Sequence, residues 1–251
     1  MIMDVVLDRV AVKHQRLAGA TLSDADRAVL HEDFLVRYAH ESTAIEGNTL
    51  TLEETRMILQ EGVAVGGKLL REHFEVVNLY RALIWLEDFA RSQRPIGEDT
   101  LLELHAIVMD HILDQDAGAY RRQPVRILGS IHVPPDWMAV PTAMSEFIER
   151  LAKGPGSEHP IVFGARAHIE LASIHPFVDG NGRLSRLLVN LVLIRSGYLP
   201  AMYRVIERPA YIGALQRAQL DGNDTDFIAL SAKAVETMLD QQLELVFGLT
   251  R

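Results

Sequence analysis

Residues 174–186 read Ile-His-Pro-Phe-Val-Asp-Gly-Asn-Gly-Arg-Leu-Ser-Arg, and no single helix or strand can contain them. Pro176 forbids continuation of the apolar helix that precedes it. Leu184, Leu187, Leu188, Leu191 and Ile194 then follow the i, i+3, i+4, i+7 rule, so a new helix starts near Gly182 and buries that stripe. The fold must therefore bring two apolar helices together at a short glycine-rich turn. At about 100° per residue, Arg183, Arg186 and Asn190 share the side opposite the stripe.

Helical spacing covers nearly all of the remaining chain. Helices are predicted over about 4–18, 23–44, 52–61, 70–92 and 98–113, and again over 141–152, 159–174, 182–196, 209–220 and 225–247. Thr51 with Glu54 forms a capping-box signature for the third. Over 118–141 the pattern changes. Val125, Ile127, Ile131 and Val133 alternate with polar or small residues around Gly129-Ser130, which predicts two short strands and a turn. Pro134, Pro135 and Pro141 stop any continuation. The expectation is an all-α chain with one β-hairpin, a single domain over 1–251. Its N-terminal helical part is 1–95, its core 96–235, and its C-terminal helix 236–251.

Composition removes several function classes. Lys+Arg 25 against Asp+Glu 34 gives a formal charge of −9, which argues against a protein that coats nucleic acid, and the arginines are scattered. Without cysteine there is no disulfide framework, no Cys-ligated metal site and no Cys nucleophile. No run approaches the roughly eighteen apolar residues of a membrane span. Asp4 and Asp8 fall where a signal peptide needs its apolar stretch. A cytoplasmic protein is expected, with no membrane partner.

The turn carries the chemistry. Gly180-Asn181-Gly182 sits at a helix N-terminus, where free N–H groups and the dipole favour an anion. Arg183 and Arg186 extend that site, and guanidinium suits phosphate oxygens. Asp179 would repel a phosphate beside it unless a cation intervened, an arrangement suited to Mg²⁺. His175, four residues earlier, is placed to take a proton from an incoming hydroxyl. Together these residues point to phosphoryl or nucleotidyl transfer. A His-based metal centre from His159, His168 and His175 lacks the usual i, i+4 spacing.

This stretch resembles the signature of the Fic family, H-P-F-x-[D/E]-G-N-G-R-x-x-R, at every specified position from His175 to Arg186. Ser42-Thr-Ala-Ile-Glu-Gly-Asn48 resembles the family's inhibitory motif, [S/T]-x-x-x-E-[G/N], in the class with the inhibitory helix N-terminal to the core. Residues 118–121, Gly-Ala-Tyr-Arg, and the predicted hairpin resemble the family's target-positioning flap. The resemblance implies a Fic-type helical bundle with one β-hairpin flap, and transfer of AMP from ATP to a hydroxyl side chain of a protein, with Mg²⁺. By motif position, His175 is the implied general base and Asp179 the implied metal ligand. Gly180, Asn181 and Gly182 are the implied phosphate nest, with Asn181 also counted among the catalytic residues. Arg183 and Arg186 would hold the β- and γ-phosphates, Tyr211 and Gln219 would border the adenine, and Phe177 resembles a buried structural aromatic.

A carboxylate on Arg186 would occupy the charge meant for the γ-phosphate, which is the autoinhibition implied for Glu46. Ser42 shares its helical face and is expected to steady the segment. Several alternatives stay open. Glu46 could orient a water and make the protein a de-AMPylase. Relatives transfer phosphate or phosphocholine, and a non-catalytic ATP-sensing module would also need the cradle. The hairpin edge could receive a protein target or be merely solvated. A homodimer is possible.

Overall fold

The computed structural model describes residues 2–19, 23–92, 94–113, 115–127 and 129–248. The chain ends counted in the 1–251 domain, including the last three residues of the 236–251 helix, lie outside them. Among the described residues ten α-helices follow in order: α1 (Ile2–Ala18), α2 (Asp24–Ile45), α3 (Leu52–Arg56), α4 (Leu70–Arg91), α5 (Glu98–Met109), α6 (Val140–Ala152), α7 (Pro160–Ile174), α8 (Asn181–Arg195), α9 (Arg208–Asp221) and α10 (Thr225–Phe247). A π-helical turn, Met57–Glu61, continues α3. The predicted capping box is present: Thr51 Oγ1 accepts from Glu54 N, and Glu54 Oε2 accepts from Thr51 N. α5 stops at Met109, short of the predicted 113. The Asn78 amide from α4 donates to the carbonyls of Val108 and Asp110, and His111 takes a left-handed φ of 57°.

The core is built around α7 and α8, which cross it side by side. Leu171, Ile174, Leu184, Leu187, Leu188 and Leu191 pack with Leu79, Leu83 and Leu86 of α4 and Leu101 and Leu104 of α5. The other flank of the pair, with Ile161, Ala165, Val189 and Leu193, packs on Tyr203, Tyr211, Phe227 and Val235. α8 is therefore covered all round. Arg183, Arg186 and Asn190 lie opposite the leucine stripe, yet all three are buried. A buried guanidinium is costly unless an anion meets it.

The hairpin expected over 118–141 is corrected: no strand forms there among the described residues. A turn is present, with Ser130 N donating to Ile127 O at 3.1 Å, but among the described residues no backbone hydrogen bond joins the two limbs. An isolated two-stranded hairpin is marginal in water, and the alternating apolar pattern finds no core here. Ile131 and Val133 are exposed instead. The limbs are fixed separately. Buried Arg121 donates to the carbonyls of His175, Gln123 and Pro135, and the His132 ring pairs with the Ser173 carbonyl of α7.

Candidate active site

α7 ends because Pro176 cannot continue it, and His175 absorbs the turn at φ 51°, ψ 57°, a left-handed conformation uncommon for a residue with a Cβ. Its Nδ1 lies 3.3 Å from the Ala172 carbonyl. A carbonyl only accepts, so the network assigns the proton to Nδ1 and leaves the Nε2 lone pair able to accept one. Burial pushes the imidazole down to about 4, outweighing the nearby Glu46 and Asp179 charges. At neutral pH the ring is uncharged and able to accept a proton.

The turn that follows is locked from two sides. The Asn181 side chain, 3% exposed, accepts from Phe177 N at 3.0 Å and donates to Phe177 O at 2.9 Å. Its amide is thus committed to shaping the loop, which leaves its backbone for the nest. His105, which the sequence did not single out, holds the other side. Its Nδ1 accepts from Gly118 N, and its Nε2–H therefore donates to the Asp179 carbonyl at 3.0 Å. The ring stacks on Phe177 at 3.7 Å between centroids, and burial pushes it down to about 4. Its one available signal was its place in the α5 stripe beside Leu101, Leu104 and Val108.

Gly180 sits at φ 81°, and a Cβ there would lie 2.8 Å from Met109 Sδ and 3.2 Å from His105 Nε2. Gly180→Ala is expected to cost about 1–3 kcal/mol of folding stability, from the left-handed backbone and the overlap. Urea midpoints at neutral pH measure it, and an unchanged midpoint would refute this account of the turn.

Asp179 stands at the rim. Burial pushes its carboxyl up, but Arg183, the Gly180 N–H and Arg71 outweigh that and hold it below the usual carboxylate range. Arg71, also missed from sequence, comes from α4 and pairs with both Asp179 and Glu75. Arg183 donates to Asp179 Oδ1 at 3.1 Å, and Glu75 lies 3.6 Å from its Nη1, yet Arg183 Nε and Nη1 have no hydrogen-bond partner among the described residues. Two orphaned donors on a buried guanidinium mark a site with room for further anionic oxygens.

Arg186 is fully engaged. Its Nε donates to Ser42 Oγ and its Nη2 to Ser42 O, both at 2.8 Å. Nη2 also meets Glu46 Oε1 at 2.8 Å, and Nη1 donates to the Tyr211 hydroxyl at 3.3 Å. Burial opposes the Arg186 charge, and Glu46 more than restores it. Glu46 closes α2 directly over the nest, where a Cβ on Gly182 would run into its Oε1. Tyr211 is buried, and its hydroxyl pairs with Arg186 and with His168 Nε2 at 2.8 Å. It thus braces the cradle as well as lining the cavity, and His168 serves it rather than a metal.

A cavity of about 120 Å³ gathers Glu46, His175, Asn181, Gly182, Tyr211 and Gln219 on its walls. That is small beside the roughly 300–1,000 Å³ of ordinary ligand pockets. Two features narrow it: the Glu46 carboxylate, and Gln216, which donates to the Gly129 carbonyl from α9 at 2.9 Å. A larger cavity of about 460 Å³, between Leu30, Phe34, Tyr198 and Met238, contains none of these residues.

Among the described residues no group of three or more His, Asp or Glu could cage a metal. A single rim carboxylate beside an anion cradle nevertheless fits Mg²⁺, which keeps one or two protein carboxylates and takes its other oxygens from phosphates and water.

Residues 95–193 match the model of the Fic/DOC family. The chain is 35% identical over 240 residues to a protein adenylyltransferase Fic of Nematostella vectensis, covering 95% of this chain and 56% of that one. It spans about half the length of the curated relatives it matches. Among solved structures, Caenorhabditis elegans Fic-1 (residues 134–508) superposes with a TM-score of 0.90 at 30% identity, covering 99% of this chain and 74% of that one. A Fic-domain signalling protein of Bacteroides thetaiotaomicron shares the fold, with a TM-score of 0.85 at 22% identity and 98% of each chain covered.

Proposed function

Because the chain belongs to the Fic/DOC family, we propose that it transfers AMP from ATP to a hydroxyl side chain of a protein, and that Glu46 restrains the reaction. One observation carries this reading: a carboxylate supplied by the chain itself lies over Gly182 and on Arg186. A cradle that attracts its own anion is built for one.

With Glu46 displaced, the N–H groups of residues 180–182 and the Arg183 and Arg186 side chains would receive the triphosphate. Asp179 would hold Mg²⁺, which neutralises phosphate charge when bound. The acceptor oxygen bonds to the α-phosphorus as the α–β bridging bond breaks, and pyrophosphate leaves. His175 Nε2 takes the hydroxyl proton. A depressed pKa makes it a weak base, and arriving phosphate charge would raise that pKa toward neutrality. The segment over 118–141 would hold the target beside His175, since Arg121 ties its roots to the His175 carbonyl.

A second reading rests on Glu46 sharing its cavity with His175. Only its Oε1 is paired among the described residues, so Oε2 is available to orient a water against an AMP-bearing target.

ATP labelled at the α or γ position separates the chemistries. Label from α on protein means AMP transfer, and from γ phosphate transfer. His175→Ala should lower α-label transfer by about 10²–10⁴-fold while nucleotide binding persists. Transfer that survives in His175→Ala would remove the base from this scheme. Light scattering of the purified chain checks the homodimer.

A further inference from the structure

Arg71 stands in the first turn of α4, where the helix dipole repels a cation, so its own helix does not hold the guanidinium in place. Two carboxylates do. Its Nε donates to Glu75 Oε1 at 3.1 Å, and its Nη2 donates to Asp179 Oδ2 in the turn before α8. The two anchors differ in kind. Glu75 is buried, and its other oxygen accepts from the Asn48 amide at 2.9 Å, two residues beyond Glu46. Asp179 is at the rim, its side chain 36% exposed.

The two oxygens of Asp179 are not equivalent. Oδ1 is committed to the turn, accepting from Gly180 N and, at 3.1 Å, from Arg183 Nη2. Oδ2 has Arg71 as its one partner among the described residues. The oxygen left over for a metal ion therefore already faces a positive charge.

We propose that Arg71 holds the cation's place on Asp179 Oδ2 and yields it to Mg²⁺, so that this arginine sets the magnesium level at which the nucleotide site loads. The inference rests on the reading of Asp179 as the metal carboxylate. Two cations on one oxygen stand well inside the screening length of about 8 Å, so ion and guanidinium compete. Arg71 need not leave the site to give way. Its Nε contact with buried Glu75 is a pivot, and only the Nη2 contact breaks. The Arg71 side chain is 50% exposed, so the swing disturbs no core packing. Charge for the phosphates comes from Arg183 and Arg186, both buried in α8, whereas Arg71 is spent on carboxylates. Because Glu75 also steadies Asn48, the arginine on the metal carboxylate and the loop bearing Glu46 share one support.

The test measures binding, with no turnover. Calorimetry with α,β-methylene-ATP gives its dissociation constant in excess magnesium and in EDTA, for the full chain and for Glu46→Gly alike. The ratio of the two constants is the magnesium coupling. Arg71→Met keeps the stem and loses the charge. It is expected to raise the coupling about three- to fivefold, the upper range for a half-exposed ion pair. Arg71→Lys, still cationic, should fall between, and melting temperatures check that each variant folds. Paramagnetic resonance titration of Mn²⁺ onto the protein with the analogue should show the same gain directly. In Asp179→Asn the coupling should vanish, and adding Arg71→Met should change nothing.

An unchanged coupling in Arg71→Met, with Asp179→Asn still abolishing it, would overturn the inference and leave the metal reading standing. Weaker analogue binding both with and without magnesium would make Arg71 a phosphate ligand instead. An equal gain in Asp179→Asn would reduce the effect to charge in general and end the proposal. Absence of coupling in both the full chain and Glu46→Gly would remove Asp179 as the metal carboxylate, and the inference with it.

Discussion

Replacing Glu46 with glycine is expected to raise AMP transfer, self-modification included, by roughly 10–150-fold. A charge-assisted contact is worth about 1.5–3 kcal/mol, which spans that range, and the 38% exposure of the Glu46 side chain draws the expectation toward its lower end. On the proposed reading, removing it would open Arg186 Nη2 and the space over Gly182 to the nucleotide. Ser42 still holds Arg186 through Nε and Nη2, so the guanidinium stays oriented. Glu46→Gln should fall between the wild type and Glu46→Gly, since it keeps the reach and loses the charge. A folded Glu46→Gly protein with unchanged α-label incorporation would remove the restraint from the scheme.

Acid should unfold this protein sooner than its carboxylates alone would. Burial depresses His105 and His175 to about 4, and burial with the Arg186 charge puts His168 well below its ordinary value. Protonating His105 would also break its Nδ1 bond from Gly118 N. In the unfolded chain each imidazole titrates near 6.5. Above that pH neither state binds the protons and the stability is whole. Below it the unfolded state binds protons that the native state refuses, so stability falls as pH falls toward the folded pKa values. His105 and His175 each cost roughly 2 kcal/mol by pH 5, about 4 for the two, against a total of about 5–15, and His168 acts in the same direction. Urea midpoints at pH 7.5, 6 and 5 measure the slope, and His105→Gln should reduce it by close to one proton. A flat profile over that range would show that these rings are not buried neutral.

Local signals made the helices legible. Pro176 and the leucine spacing placed the α7–α8 break, and the Thr51–Glu54 box began α3 at Leu52. The cradle was legible for the same reason, being contiguous from His175 to Arg186. The Glu46–Arg186 contact spans 140 residues, and the resemblance supplied it where spacing could not. His105, Arg71 and the Arg121 clamp stayed hidden because each acts across a long loop closure, on backbone or on a partner helix. The strands were misjudged because alternation reports a two-sided environment, and His132 creates one here by gripping α7 without any sheet.

The Arg121 guanidinium joins Gln123 and Pro135, the two feet of the segment, to the carbonyl of His175. Everything between those feet is then a cassette on a fixed socket. If the proposed transfer reaction is this chain's, descendants could rewrite the stretch from residue 124 to residue 134 and so change the target presented, while the His175 imidazole stayed where Arg121 ties its carbonyl.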